Sequence, residues 1–173
     1  VAAAGSSSNA IGGNLGAIVM KNRSNALIGK QVSITADGNV TVKALQNSEL
    51  FLIAASAAVS GSKAALGGTL NVTVNGPEAN VTVNDGTTIR SEKGSVVLNA
   101  DTKEKLISVL ASASAALGGT GAAGVLSVLV SGSKTVTDIG KVTIYAKKDV
   151  QILAAAVSKL FQINASVSGA SQN

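Results

Sequence analysis

The residues that could perform chemistry in this chain are few and widely spaced. His and Cys are both absent from its 173 residues, which excludes Ser-His-Asp and Cys-His catalysis as well as thiolate and imidazole metal sites. The segment SGSK occurs at 60–63 and again at 131–134, and Ser beside Lys is a possible nucleophile and base. We interpret both copies as a repeated surface corner rather than as a catalytic pair.

The acidic and glycine-rich motifs likewise give no indication of a catalytic or metal site. Glycoside hydrolysis needs two carboxyl groups close together, and the nine Asp and Glu residues, among them Asp138 and Asp149, stand singly at different corners. Calcium-binding β-helix repeats carry Gly-Gly-x-Gly-x-Asp, but LGGTGAAG at 117–124 lacks the Asp. A phosphate-binding loop would need a following helix and a Lys-Ser/Thr pair. We therefore predict no catalytic residue, no metal site and no cofactor.

The positive charge does not form a nucleic-acid site. The net charge is +5, from 14 Lys and Arg against nine Asp and Glu, and such a balance can attract an anionic partner. The densest clusters are only KNR at 21–23 and KK at 147–148, and no aromatic residues interleave with them to stack on bases. We predict a solvated surface with no nucleic-acid partner.

Asn-x-Ser/Thr sequons and Thr-containing pentapeptides leave two alternatives open. Strands rich in Asn, Val and Thr create sequons by chance, although glycosylation at such sites stays an alternative; the five begin at Asn22, Asn39, Asn71, Asn80 and Asn164. The pentapeptide NVTVN at 71–75 and 80–84 is similar to the Thr rows of ice-binding solenoids. Its Thr spacing is not sustained between repeats, which disfavours that function.

Internal repeats determine the architecture that positions all these residues. The pattern Leu-x-(Ala/Val)-x-Val begins at Leu15, Leu70 and Leu126, which are 55 and 56 residues apart, and a glycine precedes each by two positions. Such a period is the signature of a repeat array. We divide the chain into a single continuous segment of three repeats, 1–54, 55–110 and 111–165, plus the start of a fourth. The chain is expected to be an excerpt of a longer polypeptide.

Two further patterns agree with this period and indicate β-strands. Val-x-(Ile/Val/Leu)-x-Ala occurs five times, beginning at Val32, Val40, Val96, Val142 and Val150, and FLIAAS at 51–56 matches FQINAS at 161–166. Alternation of apolar with polar or small residues is the period of a strand. We count five or six short strands in each repeat, which corresponds to two or three coils. The corners ADGN and AKKD differ too much for one hairpin turn, so the sequence favours a parallel β-helix over an antiparallel meander. In such a stack we expect Val40, Val96 and Val150 to point inward at equivalent positions, and Leu15, Leu70 and Leu126 likewise.

The predicted strands and their small residues also account for the longest uncharged run, from Leu106 to Ser133. A membrane helix would not share its repeat template with copies that contain Lys63 and Asn71. We predict two strands around a Gly-Gly corner, and hence no membrane-spanning segment. The chain has no Trp, one Tyr (Tyr145), two Phe and 19 Gly, a composition that suits thin, closely stacked β layers.

Three segments carry a resemblance to a known family: VSITADGNVTVKA, GSVVLNADTKEKLISVLASASAALGG and KVTIYAKKDVQILAAA. They resemble the repeat region of large bacterial filamentous adhesins and autotransporter passengers, which are filamentous-haemagglutinin-like or leukotoxin-type. The resemblance implies an all-β, right-handed parallel β-helix in a secreted or cell-surface protein, outside the outer membrane. It also implies a virulence role in cell adhesion, with flanking repeats of the same chain, and a host-cell protein or glycan, as partners.

Two classes of function follow. In the first, the chain is a structural stalk segment that supplies length and rigidity, and any binding by its walls is weak and spread out because no arginine or aromatic hot-spot cluster is available. In the alternative, it is a polysaccharide-cleaving β-helix enzyme, a lyase or hydrolase, which would need clustered acids and aromatic sugar platforms. Tyr145 is the only Tyr, and we expect a protein that is not an enzyme.

Overall fold

The computed structural model describes residues 1–171, which form thirteen β-strands and no helix. Consequently no helix long and apolar enough to cross a membrane occurs in this part of the chain. The strands are β1 (Ala2–Ser6), β2 (Asn9–Met20), β3 (Arg23–Ile28), β4 (Ser33–Ala36), β5 (Val40–Ser60), β6 (Ala64–Asn75), β7 (Glu78–Val83), β8 (Thr88–Ser91), β9 (Val96–Ala116), β10 (Thr120–Ser131), β11 (Lys134–Ile139), β12 (Thr143–Ala146) and β13 (Val150–Ala170).

All pairing between these strands is parallel, and it follows the sequence repeat. Four sheets form, in the orders β1-β5-β9-β13, β2-β6-β10, β3-β7-β11 and β4-β8-β12, so that each strand pairs with its equivalent in the next repeat. Val40, Val96 and Val150 stand side by side in the first sheet, and Leu15, Leu70 and Leu126 do so in the second. The prediction of stacked parallel strands is confirmed, and β4 and β5 belong to different sheets rather than to one hairpin.

The expected number of coils is wrong. Val40 pairs directly with Val96, so one repeat makes one turn of the stack instead of two or three. Each repeat contributes four strands, not five or six, because β5 and β9 are each 21 residues long. The pattern at 40–44 and the segment FLIAAS at 51–56 both lie within β5. The linking residues 45–50 contain neither Gly nor Pro, and such residues are what usually ends a strand.

The long sheet packs against the three shorter sheets, so the stack has two layers. The first half of β5 and β9, together with β7 and β8, encloses an apolar core of branched side chains: Ile28, Val40, Val81, Val83, Ile89, Val96 and Leu98. The inward alternation of Val and Ile in these strands is what a half-buried strand requires. Val150 occupies the same register but is half exposed, because β13 lies at the end of the stack.

The other half of the long sheet approaches β2, β6 and β10 much more closely. Only alanine forms the apolar cluster there: Ala10, Ala58, Ala65 and Ala116. A Cβ added to the inward Gly67 would overlap the carbonyl oxygen of Ala113 and lie 3.2 Å from its carbonyl carbon. No larger side chain fits at Gly67, whereas farther along β9 the inward Leu106 and Leu110 are accommodated and fully buried. Residues 112–132 belong to two strands, β9 and β10, on either side of a corner at 117–119, as predicted.

Candidate functional site

On β2, β6 and β10 the large apolar side chains point outward. Leu15, Leu70 and Leu126 are 75%, 37% and 61% exposed, so the expectation that this row points inward is wrong. Their register is the predicted one, but the neighbouring inward positions are held by small or polar residues, such as Thr69 and Asn71. One-residue alternation fixes which residues share a face and leaves open which face is inside.

The outward side of β2, β6 and β10 forms what we call the apolar face. At the end next to the 61–63 corner, its first row holds Asn9, Ala64 and Thr120; every other outward residue is apolar. Those residues are Ile11, Gly13, Leu15, Ala17 and Val19 with their equivalents Leu66, Gly68, Leu70, Val72, Val74 and Ala122, Gly124, Leu126, Val128, Val130. No charged side chain interrupts the face. Exposed apolar areas of this extent commonly mark interaction sites.

A groove of about 580 Å³ crosses the apolar face along the stacking direction. Its floor is the row Gly13, Gly68 and Gly124, and one wall is the row of three leucines described above. A Cβ added to Gly68 or Gly124 would have no atom within 4 Å, and one at Gly13 would be 3.9 Å from the nearest. The fold itself therefore leaves room for larger residues in all three places.

A buried carboxylate joins the three coils inside the stack. Glu104 is 2% exposed and accepts hydrogen bonds from Asn75 Nδ2 at 2.6 Å, Ser131 Oγ at 2.6 Å and Ser158 Oγ at 2.8 Å. Ser48 Oγ extends the network by donating to Asn75 Oδ1 at 3.2 Å. Several donors to one carboxylate compensate for its removal from water. We regard this network as structural, since it spans strands from all three repeats.

One exposed aromatic–cation pair lies on the outer side of β8 and β12. The Arg90 guanidinium lies 4.5 Å from the centre of the Tyr145 ring, and these two residues are neighbours in the sheet register. A side-chain hydrogen bond and the charge of Glu92 raise the pKa of Arg90, which stays a cation. This pair was not predicted from the sequence, because its residues are 55 positions apart in the chain and become neighbours only in the sheet.

The two SGSK segments lie at two different corners. Residues 60–63 join β5 to β6, and residues 131–134 join β10 to β11, so both are corners but not repeats of one corner. Ser62 Oγ donates to the carbonyl oxygen of Ser7 at 2.7 Å, and Ser131 Oγ donates to Glu104. Within residues 1–171, neither hydroxyl forms a hydrogen bond with a lysine side chain.

The acids that an enzyme would need are dispersed over the stack. Asp138 lies in β11, and Asp149 lies in the corner before β13. Other acids form salt bridges with basic side chains, as in the pairs Arg23–Glu78 at 2.8 Å and Lys93–Asp37 at 3.0 Å. Among residues 1–171, no three His, Cys, Asp or Glu side chains come close enough to hold a metal ion.

The sequons and the NVTVN segments differ in whether their side chains point into the stack or outward. Asn71 is buried and donates to Thr73 Oγ1 at 2.9 Å, which leaves no access for a glycan. Asn80 faces outward and donates to Asn25 Oδ1 at 3.1 Å, while Asn22 and Asn39 lie in exposed corners. Asn164 is in register with the buried Leu110. The two NVTVN copies thus present their Asn and Thr side chains to opposite sides.

Of these features, the glycine and leucine rows were predicted from the sequence, whereas the buried carboxylate of Glu104 was not. The signal for Glu104 was present in the repeat alignment, where an acid aligns with Ser48 and Ser158. Comparison with known proteins finds no matching family model, no similar curated protein and no similar solved structure.

Proposed function

We propose that this chain is a structural segment of a secreted bacterial surface adhesin, and that its stacked sheets are the walls of a right-handed parallel β-helix. The observation that supports this proposal is the in-register pairing of strands from consecutive repeats over nearly their whole length. In such a solenoid each repeat contacts only its neighbours, so repeats can be added without a new kind of contact. Its first partners are then flanking repeats of the same chain.

The proposed segment supplies width as well as length. One repeat makes one turn, so roughly 55 residues add about 4.8 Å along the stack, whereas a strand of 21 residues spans about 70 Å across it. The segment is therefore a broad, stiff wall outside the outer membrane. Contact with a host protein or glycan would use the exposed walls, where Arg90 and Tyr145 offer an aromatic and a cationic group together.

Removal of one repeat tests the architecture. Ala64 and Thr120 occupy equivalent positions, so deletion of residues 64–119 joins Lys63 to Thr120 at an equivalent corner. We expect a folded two-turn protein with an unchanged circular dichroism spectrum per residue and a lower melting temperature. Deletion of residues 64–91 is the control: it removes β6, β7 and β8 but keeps β9, so the remaining strands lose their register, and it should unfold. If both deletions fold equally well, the repeat is not the structural unit.

Two assays test the functional part of the proposal. Antibodies against the purified chain should label intact source cells, and labelling that requires permeabilised cells would contradict surface exposure. The polysaccharide-cleaving alternative is tested with a panel of acidic and neutral polysaccharides. We expect no turnover; turnover that is lost in Asp138→Asn or Asp149→Asn would favour the enzyme instead.

A further inference from the structure

We propose that the apolar face is a homodimer interface, in which a second copy of this chain packs face to face with the first. Each row of the face contains three residues in register, one from each of β2, β6 and β10, and is identified by its β6 residue, from Ala64 to Val74. The inference concerns self-association and does not depend on the cellular location of the chain.

The pattern of large and small residues on the face is self-complementary. The glycine row at Gly68 and the leucine row at Leu70 are adjacent. A two-fold axis parallel to the stacking direction, between these rows, places each leucine row in the glycine groove of the other copy. The same axis places Leu66 opposite Val72, and in the flanking coils Ile11 opposite Ala17.

The alternative two-fold axis, parallel to the strands, does not give this fit. It would place leucine rows against leucine rows and leave both grooves empty. The interface therefore specifies two stacks that run side by side in the same direction, with their strands antiparallel across the interface. The polar first row, which includes Asn9 and Thr120, then lies at the rim, as polar residues do in protein interfaces.

The area of the face determines how strong the association between two copies can be. Twelve residues by three strands give a flat projection of about 570 Å², because each coil contributes about 190 Å². Stable interfaces bury about 800 Å² per partner, which corresponds to four or five coils. Three coils should therefore form a weak, concentration-dependent dimer, and a chain with more coils should form a tighter one.

The glycine row has no other structural use that would explain it. Glycine weakens a strand interior, and a methyl group at Gly68 or Gly124 meets open space. The inward Gly67, in contrast, is required by the neighbouring layer. Room for a partner's side chains explains the outward row.

Sedimentation velocity over a wide concentration range tests the proposal on the full 173-residue chain. The variant Gly13→Val/Gly68→Val/Gly124→Val fills the groove, and we expect it to remain folded and to raise the dimer dissociation constant about tenfold or more. Gly38→Ala/Gly132→Ala is the control, since both residues also have open space beside them. If the groove variant does not fold, Leu70→Lys, which places a charge on the exposed face, replaces it. Unchanged association in the folded groove variant, or in Leu70→Lys, would overturn the proposal.

Thiol crosslinking tests the orientation, because the chain has no Cys of its own. A mixture of Leu66→Cys and Val72→Cys proteins should form a mixed crosslinked dimer with a short bifunctional reagent, whereas Leu66→Cys alone should not. Efficient crosslinking of Leu66→Cys to itself would indicate the other two-fold axis and would overturn the proposed geometry. Phe51→Lys, on the outer side of β5, reports on the opposite wall. Dimerisation that is lost in this variant but retained in Leu70→Lys would assign the interface to that wall and refute the proposal.

Discussion

Two adjacent glycines in β6 should respond in opposite ways to the same added methyl group. In Gly67→Ala the new Cβ would overlap the Ala113 carbonyl oxygen and lie 3.7 Å from Ser114 Cβ, whereas in Gly68→Ala it would have no atom within 4 Å. Replacing glycine by alanine in a strand gains about 0.5–1 kcal/mol in either place. Overpacking costs about 1–3 kcal/mol and applies to Gly67→Ala alone.

The difference between the two variants isolates the steric effect, because the gain in strand propensity is common to both. We expect Gly68→Ala to be slightly more stable than the parent, and Gly67→Ala to be less stable than Gly68→Ala by about 1–3 kcal/mol. At about 2–4 °C per kcal/mol for a chain of this size, their melting temperatures should differ by several degrees. Thermal unfolding followed by circular dichroism, at a concentration where the protein is monomeric, measures this. Equal melting temperatures would show that the two layers are not in close contact at Gly67, and would refute the reasoning.

Three further predictions concern the interior and the ends of the stack. Glu104→Ala leaves the Asn75 amide and two serine hydroxyls without an acceptor and should destabilise the protein by about 3 kcal/mol in denaturant unfolding. Glu104→Gln retains an acceptor oxygen and should lose less stability. Equal losses in the two variants would contradict the network. Ser112→Ala removes a buried hydroxyl that has no hydrogen-bond partner and should stabilise the protein by about 1 kcal/mol, whereas a loss of stability would indicate an unrecognised partner. Amide exchange should be slowest in β9, which is paired on both sides, and faster in β13, which is paired on one; the reverse order would be inconsistent with the stacking.

The sequence predicted the strand register well because the same residues recur at equivalent positions. Leu15, Leu70 and Leu126 stand in one row, as the 55-residue period requires. Identical residues stacked in a parallel sheet need no detailed knowledge of the packing. For the same reason the parallel arrangement could be inferred, whereas the number of turns per repeat could not, since it depends on whether residues 45–50 bend or continue the strand.

The direction of each strand face could not be predicted from local alternation. The copies of NVTVN at 71–75 and 80–84 have the same sequence, yet Asn71 is buried and Asn80 faces outward. The difference comes from what each strand packs against: β7 packs over the branched apolar core, and β6 packs over the second half of β9, where serines, Ala116 and two leucines face inward. Orientation is a property of the opposite layer, which belongs to other strands: the side chain of Thr69, for example, is bonded to Ser56 and Ala111.

One turn per repeat also determines how the stack would yield to a pulling force. Tension along the stacking axis loads the ladder of backbone hydrogen bonds between neighbouring coils, and the bonds at one end can open in succession, as in a zipper. A detached coil of roughly 55 residues supplies about 190 Å of extended chain in place of about 4.8 Å of stacked height. Each released coil would thus extend to about forty times its stacked height, and the remaining coils would bear the load only after that added length had been drawn out.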